Sequence, residues 1–518
     1  MPGRGEERNR HQYFPGPWLG GSEDLFYNVV KLFLFDADYA CAGGFSEGNW
    51  AVIEGGCTVL RKPARKFSCL ALVAMLVAAA TAVTSVQSSI ASKKLAQPYG
   101  LAVRPASKAY LRLPQLASGE FPRLLSQTGA FSNVLKLAPN PGLIPYQVIV
   151  PFWSDGASKS RWISVPKGTI KFAPSREWEF PNGTVFVKQF DLSIDDTNPA
   201  IKRRLETRFL VRDSDGGVYG VVYKWRRDNS DAELLTTSMK ENITIKTASG
   251  TRTQTWYYPS REDCLTCHTS NAGGVLGIKS RQMNRDFTYP SGVTDNELRA
   301  WNHIGLFDSA PDDSGLAALP KLASANDQTR SLEDRARSFL DVNCSQCHRP
   351  GGTVAMFDAR YDTPLEKQGL IGGRVLIDEG IDKPRIVAPN DIWRSILFMR
   401  VNTTDTFKMP PLARMTIDGA SVELLRDWIH SLDGPPVLGP PVFSPPGGTF
   451  DKIITVTLTD AEAGATIHYT LDGSEPTTSD PIYEAPLQLT ESKVVRARAF
   501  KRGFRRSITA QEVYVPKG

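Results

Sequence analysis

Cysteine and histidine are the scarce residues of this chain, seven and six among 518. Cys41, Cys57 and Cys69 lie near the start, and the other four fall in two short clusters, so no thiols remain beyond residue 69 for a structural disulfide framework. Long blocks of one charge are missing too. The formal net charge of +6 is mild for this length, which argues against nucleic-acid binding and leaves a weakly basic surface suited to an acidic partner. With 41% hydrophobic and 22% charged residues, the composition excludes a fibrous, disordered or membrane-embedded chain and accommodates about three globular domains.

The two cysteine clusters are Cys264-Leu265-Thr266-Cys267-His268 and Cys344-Ser345-Gln346-Cys347-His348, both reading CxxCH. This is the attachment sequence of c-type haem. Two thiols add across the porphyrin vinyl groups, and the adjacent imidazole becomes the proximal iron ligand. The competing readings each meet an obstacle. A four-cysteine zinc module separates its pairs by roughly 15 to 20 residues, whereas residues 268 to 343 intervene here. A redox dithiol belongs near a βαβ pattern, but antiparallel strands precede Cys264 and an amphipathic helix precedes Cys344. The expectation is two covalently bound haem c groups, with Cys264, Cys267, Cys344 and Cys347 as anchors and His268 and His348 as iron ligands.

Covalent haem attachment in bacteria implies an exported, oxidising compartment, and a targeting segment is visible. Residues 61–83 combine the basic run Arg61-Lys62-Pro63-Ala64-Arg65-Lys66, an apolar stretch from Phe67 to Val83 and the small-x-small site Ala80-Thr81-Ala82. They read as a Sec-type signal peptide, placing the protein in the periplasm, outside the cell or at its surface. Membrane attachment follows only if the segment stays uncleaved. The preceding residues 1–60 are a prefix of mixed character, which a gene start assigned too early would explain.

Residues 99–262 read as a β-rich domain. Trp178-Glu179-Phe180 meets Thr184-Val185-Phe186-Val187 across Pro181-Asn182-Gly183, and Thr207 to Val211 meets Val218 to Tyr223 across Asp213 to Gly217. Such strands suggest a sandwich or small barrel. The first haem-binding segment follows at 263–330. Its sixth iron ligand is sought among Met283 and His303, with His303 preferred because the chain has only six histidines and this one lies in the short helix expected over Leu298-Arg299-Ala300-Trp301-Asn302-His303.

Around the second motif, Ser331-Leu332-Glu333-Asp334 opens a helix with a capping-box-like start, and Ala336, Phe339, Leu340 and Val342 give it an apolar face. Phe407-Lys408-Met409-Pro410-Pro411-Leu412 sets a thioether in a stiff loop, and a last helix spans about Gly419 to Leu432. Leading helix, CxxCH, Met-Pro loop and terminal helix together resemble the class I cytochrome c fold over residues 331–433. The resemblance implies Cys344 and Cys347 as thioether anchors and His348 and Met409 as axial ligands; Met356, Met399 and Met415 are alternatives. The run Ser395-Ile396-Leu397-Phe398-Met399-Arg400 is similar to cytochrome modules of planctomycete-type bacterial proteins. Residues 100–433 as a whole resemble a bacterial di-haem c-type cytochrome family to which no settled substrate attaches.

Residues 434–449 form a Pro/Gly linker, semi-rigid in character. Residues 450–518 carry alternating runs such as Ile453-Ile454-Thr455-Val456-Thr457-Leu458. Ile467-His468-Tyr469-Thr470-Leu471-Asp472-Gly473-Ser474-Glu475-Pro476-Thr477 is similar to the signature of chitobiase and β-hexosaminidase C-terminal domains, which implies an immunoglobulin-like accessory module. The expected fold is therefore multidomain: a β-rich N-terminal domain, a mainly α class I cytochrome c-like domain, and a C-terminal immunoglobulin-like β-sandwich. The expected function is electron transfer with an unidentified redox partner protein. The alternatives are a peroxidase-like oxidoreductase with an open first haem, and a surface-attached redox protein whose last domain contacts polysaccharide or protein.

Overall fold

A computed structural model of the chain describes residues 98–353, 357–412 and 414–517. The prefix, the signal segment and Met356 lie outside the described residues.

The β-rich region is built on one open antiparallel meander. Its strands β1 (Ile144–Pro145), β2 (Ser158–Ser164), β3 (Val185–Ser193), β4 (Lys202–Arg212), β5 (Val218–Trp225) and β6 (Ala232–Leu234) lie side by side in chain order. The period-2 pattern gives the sheet two unlike faces. One face carries Val185, Val187, Phe209, Val211, Val221, Tyr223 and Trp225 into a core with Leu125 and Phe131. The other carries Phe186, Lys188 and Phe190 toward the first CxxCH motif. A separate hairpin, β7 (Met239–Thr247) and β8 (Gly250–Tyr258), packs Ile243, Ile245, Trp256 and Tyr258 against Phe190 and Leu192.

The expected hairpin across Asp213 to Gly217 forms, with Val211 opposite Tyr219 and Phe209 opposite Val221. The one expected across Pro181-Asn182-Gly183 does not. Glu179 bridges Lys171 instead, and Val185 pairs outward with Val211 and Ser164.

The fold class needs a larger correction: strand outweighs helix, 29% to 16%, and residues 331–433 are not the expected mainly α, cytochrome-like domain. They hold α3 (Leu332–Asn343), α4 (Ile396–Val401) and α5 (Gly419–Ser431), of 12, 6 and 13 residues. Between His348 and α4 the chain runs through single β-bridges and short turns. The physical reason is in the residues: Pro350, Pro364, Pro384 and Pro389 cannot continue a helix, and Gly351, Gly369, Gly372 and Gly380 take positive φ. Helices α3 and α5 share a core of Ala336, Phe339, Leu340, Val422, Leu425, Trp428 and Ile429. Earlier in the chain, α1 (Arg261–Cys267) carries the first motif and α2 (Glu297–His303) ends at His303.

The C-terminal region is a two-sheet β structure, as expected. Strands β9 (Val442–Ser444), β11 (Ile454–Thr459) and β13 (Leu487–Leu489) form one sheet. Strands β10 (Gly448–Phe450), β12 (Thr466–Thr470), β14 (Lys493–Phe500) and β15 (Ala510–Pro516) form the other. Phe443, Val456, Leu458 and Leu489 from the first meet Phe450, Ile467, Val495 and Tyr514 from the second. Polar contacts tie this region to the chain before it: Arg394 donates to the carbonyls of Arg506 and Ser507, at 3.1 and 3.2 Å.

Candidate functional site: two adjoining cavities at the CxxCH motifs

The first motif is held by its helix start. Ser260 caps α1 by accepting from Asp263 N at 3.2 Å, and the Asp263 carboxylate accepts from Ser260 N at 2.9 Å and from Tyr257 Oη at 2.6 Å. This fixes α1 on β5, where Cys264 lies over Gly220. A Cβ at Gly220 would stand 2.5 Å from Cys264 Sγ, so only glycine admits the thiol there. One turn on, His268 directs Nδ1 to the Gly274 carbonyl at 2.8 Å. A carbonyl only accepts, so Nδ1 bears the hydrogen and the Nε2 lone pair is free. Burial lowers the His268 pKa to about 4, keeping the ring neutral. A neutral imidazole with its second nitrogen anchored on a carbonyl is the form an iron ligand takes.

The second motif leaves the end of α3, with Cys344 N donating to Leu340 O and His348 N to Cys344 O, both at 2.9 Å. The His348 ring stacks on Phe357 at 4.3 Å. Burial first, and the nearby Arg400 guanidinium second, lower its pKa to about 4.

The motifs open into two cavities of about 1370 and 1470 Å³, open mouths included. Cys264, Cys267 and His268 line the first; Cys344, Cys347, His348 and Met409 line the second, among Phe357, Val375, Ile386, Leu397 and Val401. Cys267 and Gln346 line both, so the cavities adjoin. The Cys267 and Cys347 thiols interact there, which holds Cys347 down to about 7 and Cys267 well above the usual thiol range. Arg349, next to His348, locks the motifs together by reaching Glu177 at 2.7 Å and the Asn271 carbonyl at 3.2 Å. All four thiols are free. Among the described residues no three His, Cys, Asp or Glu side chains converge on a common metal position. A porphyrin iron needs only one or two protein ligands.

His303, expected near the first motif, is not brought there. Its ring lies flat against Tyr99, 3.6 Å away, and lines neither cavity. Met283 is fully buried in the core around Trp178 and Trp301. Met399 and Met415 also stay outside both cavities, and Met415 N donates to the Asp155 carboxylate at 2.8 Å.

What sequence reading missed is the other wall of the first cavity, where Lys159, Arg161, Lys188 and Arg208 converge. Burial, and after it the Arg161 and Arg208 charges, lower the Lys188 pKa to about 7. The signal was present in Phe186-Val187-Lys188-Gln189-Phe190: a lysine at an inward position of a period-2 apolar strand.

Residues 445–511 match the family model of the chitobiase/beta-hexosaminidase C-terminal domain, the part of the chain that the two-sheet structure covers. No curated protein matches the chain. Among the described residues, no helix is long and apolar enough to cross a membrane.

Proposed function

We propose that this protein carries two covalent haem c groups and transfers electrons between them and a partner protein. The observation that carries the reading is the adjoining of the two CxxCH cavities through Cys267 and Gln346. Cys264 and Cys267 would anchor the first group with His268 as ligand; Cys344 and Cys347 would anchor the second, with His348 and Met409. Haem iron supplies one-electron chemistry when bound. The chain's own part is to hold each imidazole neutral, exclude water with the apolar walls of the second cavity, and keep the motifs in contact. The reading includes export, because the thioether bonds form outside the bacterial cytoplasm, and an accessory role for the last domain in contacting polysaccharide or protein.

A second reading, a haem oxidoreductase acting at the first site, is favoured by one feature. Among the described residues lining that cavity, none besides His268 is histidine or methionine. Optical spectra separate the two: electron transfer requires both irons low-spin, while a catalytic first site gives a high-spin component that shifts with added cyanide.

A further inference from the structure

In the sheet, Arg161 on β2 lies directly opposite Lys188 on β3, and Lys188 directly opposite Arg208 on β4. Directly opposed residues share a face, so three cations stand in one row across three strands, with Lys159 beside them in the same cavity. Like charges so placed repel, and a sheet that only needed to fold would not place them in its interior. The compensation within the chain is partial. Arg208 donates to Glu206 at 2.6 Å, Arg161 to Gln147 Oε1 at 2.8 Å, and Lys159 to the Phe152 carbonyl at 2.7 Å. Lys159, Lys188 and Arg208 also stand over the single Phe190 ring, at 5.9, 6.0 and 4.5 Å. Among the described residues the one carboxylate lining the cavity, Asp263, is already engaged by Tyr257 and Ser260. Lys188 has a ring beneath it and cations on both sides.

We propose that the row Arg161–Lys188–Arg208, with Lys159, is an anion-binding site that takes an oxyanion or carboxylate group in the cavity onto which His268 opens. The ligand chemistry has two sources: a free small oxyanion, or the propionates of the cofactor proposed above. Only the second source depends on that cofactor, so the two ideas fail separately. An anion there would bridge the row and hold Lys188 charged.

The test is titration of sodium sulfate, an oxyanion that is a poor ligand of haem iron, at constant ionic strength, into the full chain made with and without haem attachment. It is repeated with Lys188→Met, which leaves no stranded carboxylate, and Lys188→Arg, which keeps the charge. Saturable binding at one site, weakened at least tenfold in Lys188→Met and retained in Lys188→Arg, supports the site. If both preparations bind, the row takes a free anion. If only the haem-free chain binds, the propionates fill the row. Should the haem-free chain not fold by circular dichroism, the haem-loaded chain decides: either sulfate binding weakens in Lys188→Met, or the propionate bending bands in resonance Raman spectra shift. Sulfate binding unchanged in Lys188→Met, or neither binding nor a Raman shift, overturns the proposal.

Discussion

A single missing Cβ decides where the first thiol can go. Gly220 sits on β5 under Cys264, and a Cβ there would meet Sγ at 2.5 Å and the cysteine Cβ at 2.7 Å. Gly220→Ala is expected to push α1 off the sheet and to reduce haem attachment at the first motif while sparing the second. Intact mass should show the loss as a fall from two haems toward one. Glu297 is a second residue with a measurable signature. Its buried carboxyl accepts from Gln147 N at 2.9 Å, and burial raises its pKa to about 8. A carboxyl raised in the folded state contributes stability at low pH that is lost as pH rises toward 8. Unfolding free energy should therefore fall with pH between the ordinary carboxylate range and pH 8, by up to about 1.4 kcal/mol per unit; denaturant titrations of Glu297→Gln should lack that slope. At this scale the two CxxCH clusters were legible from residue order, whereas the cavities they line and the Arg161–Lys188–Arg208 row were not. His303 was not placed by its sequence, because its stacking on Tyr99 depends on a partner 204 positions away, from 303 back to 99.

The helices and strands repeat that division between local and distant causes. Ser331 caps α3 as its sequence suggests, accepting from Asp334 N at 3.1 Å, and α5 begins at Gly419 where a helix was expected. Ser331→Ala should cost about 1 kcal/mol of stability by removing that acceptor, read as a lower denaturation midpoint with the m-value unchanged. Hairpins were legible where one turn joins partners, as between β4 and β5. They were not where Pro181-Asn182-Gly183 turns the chain between segments that each pair elsewhere. The largest misreading was residues 331–433, where two good helices and a haem-type motif suggested a mainly α module. The intervening prolines and positive-φ glycines instead commit most of that length to turns and bridges.

At the scale of the whole described structure, the C-terminal region is joined to the chain before it by buried charge. Asp391, 0% exposed, accepts from Arg394 at 3.0 Å and from Arg505 of the C-terminal region at 3.1 Å. Replacing Asp391 by alanine removes the nearest carboxylate from the Arg394 guanidinium, itself 3% exposed, and leaves it the Asp382 carboxylate at 3.6 Å and backbone carbonyls. The expected loss is about 1.5–3 kcal/mol, seen as a lower chemical-denaturation midpoint. The central claim, that two covalent haems sit in adjoining cavities, is tested most directly on the exported protein from a host able to attach c-type haem. Intact mass is measured alongside oxidised and reduced optical spectra. Two haem masses on one chain, lost one at a time in Cys264→Ser/Cys267→Ser and in Cys344→Ser/Cys347→Ser, are the expected result; a mature chain of unmodified mass with no haem absorption contradicts it.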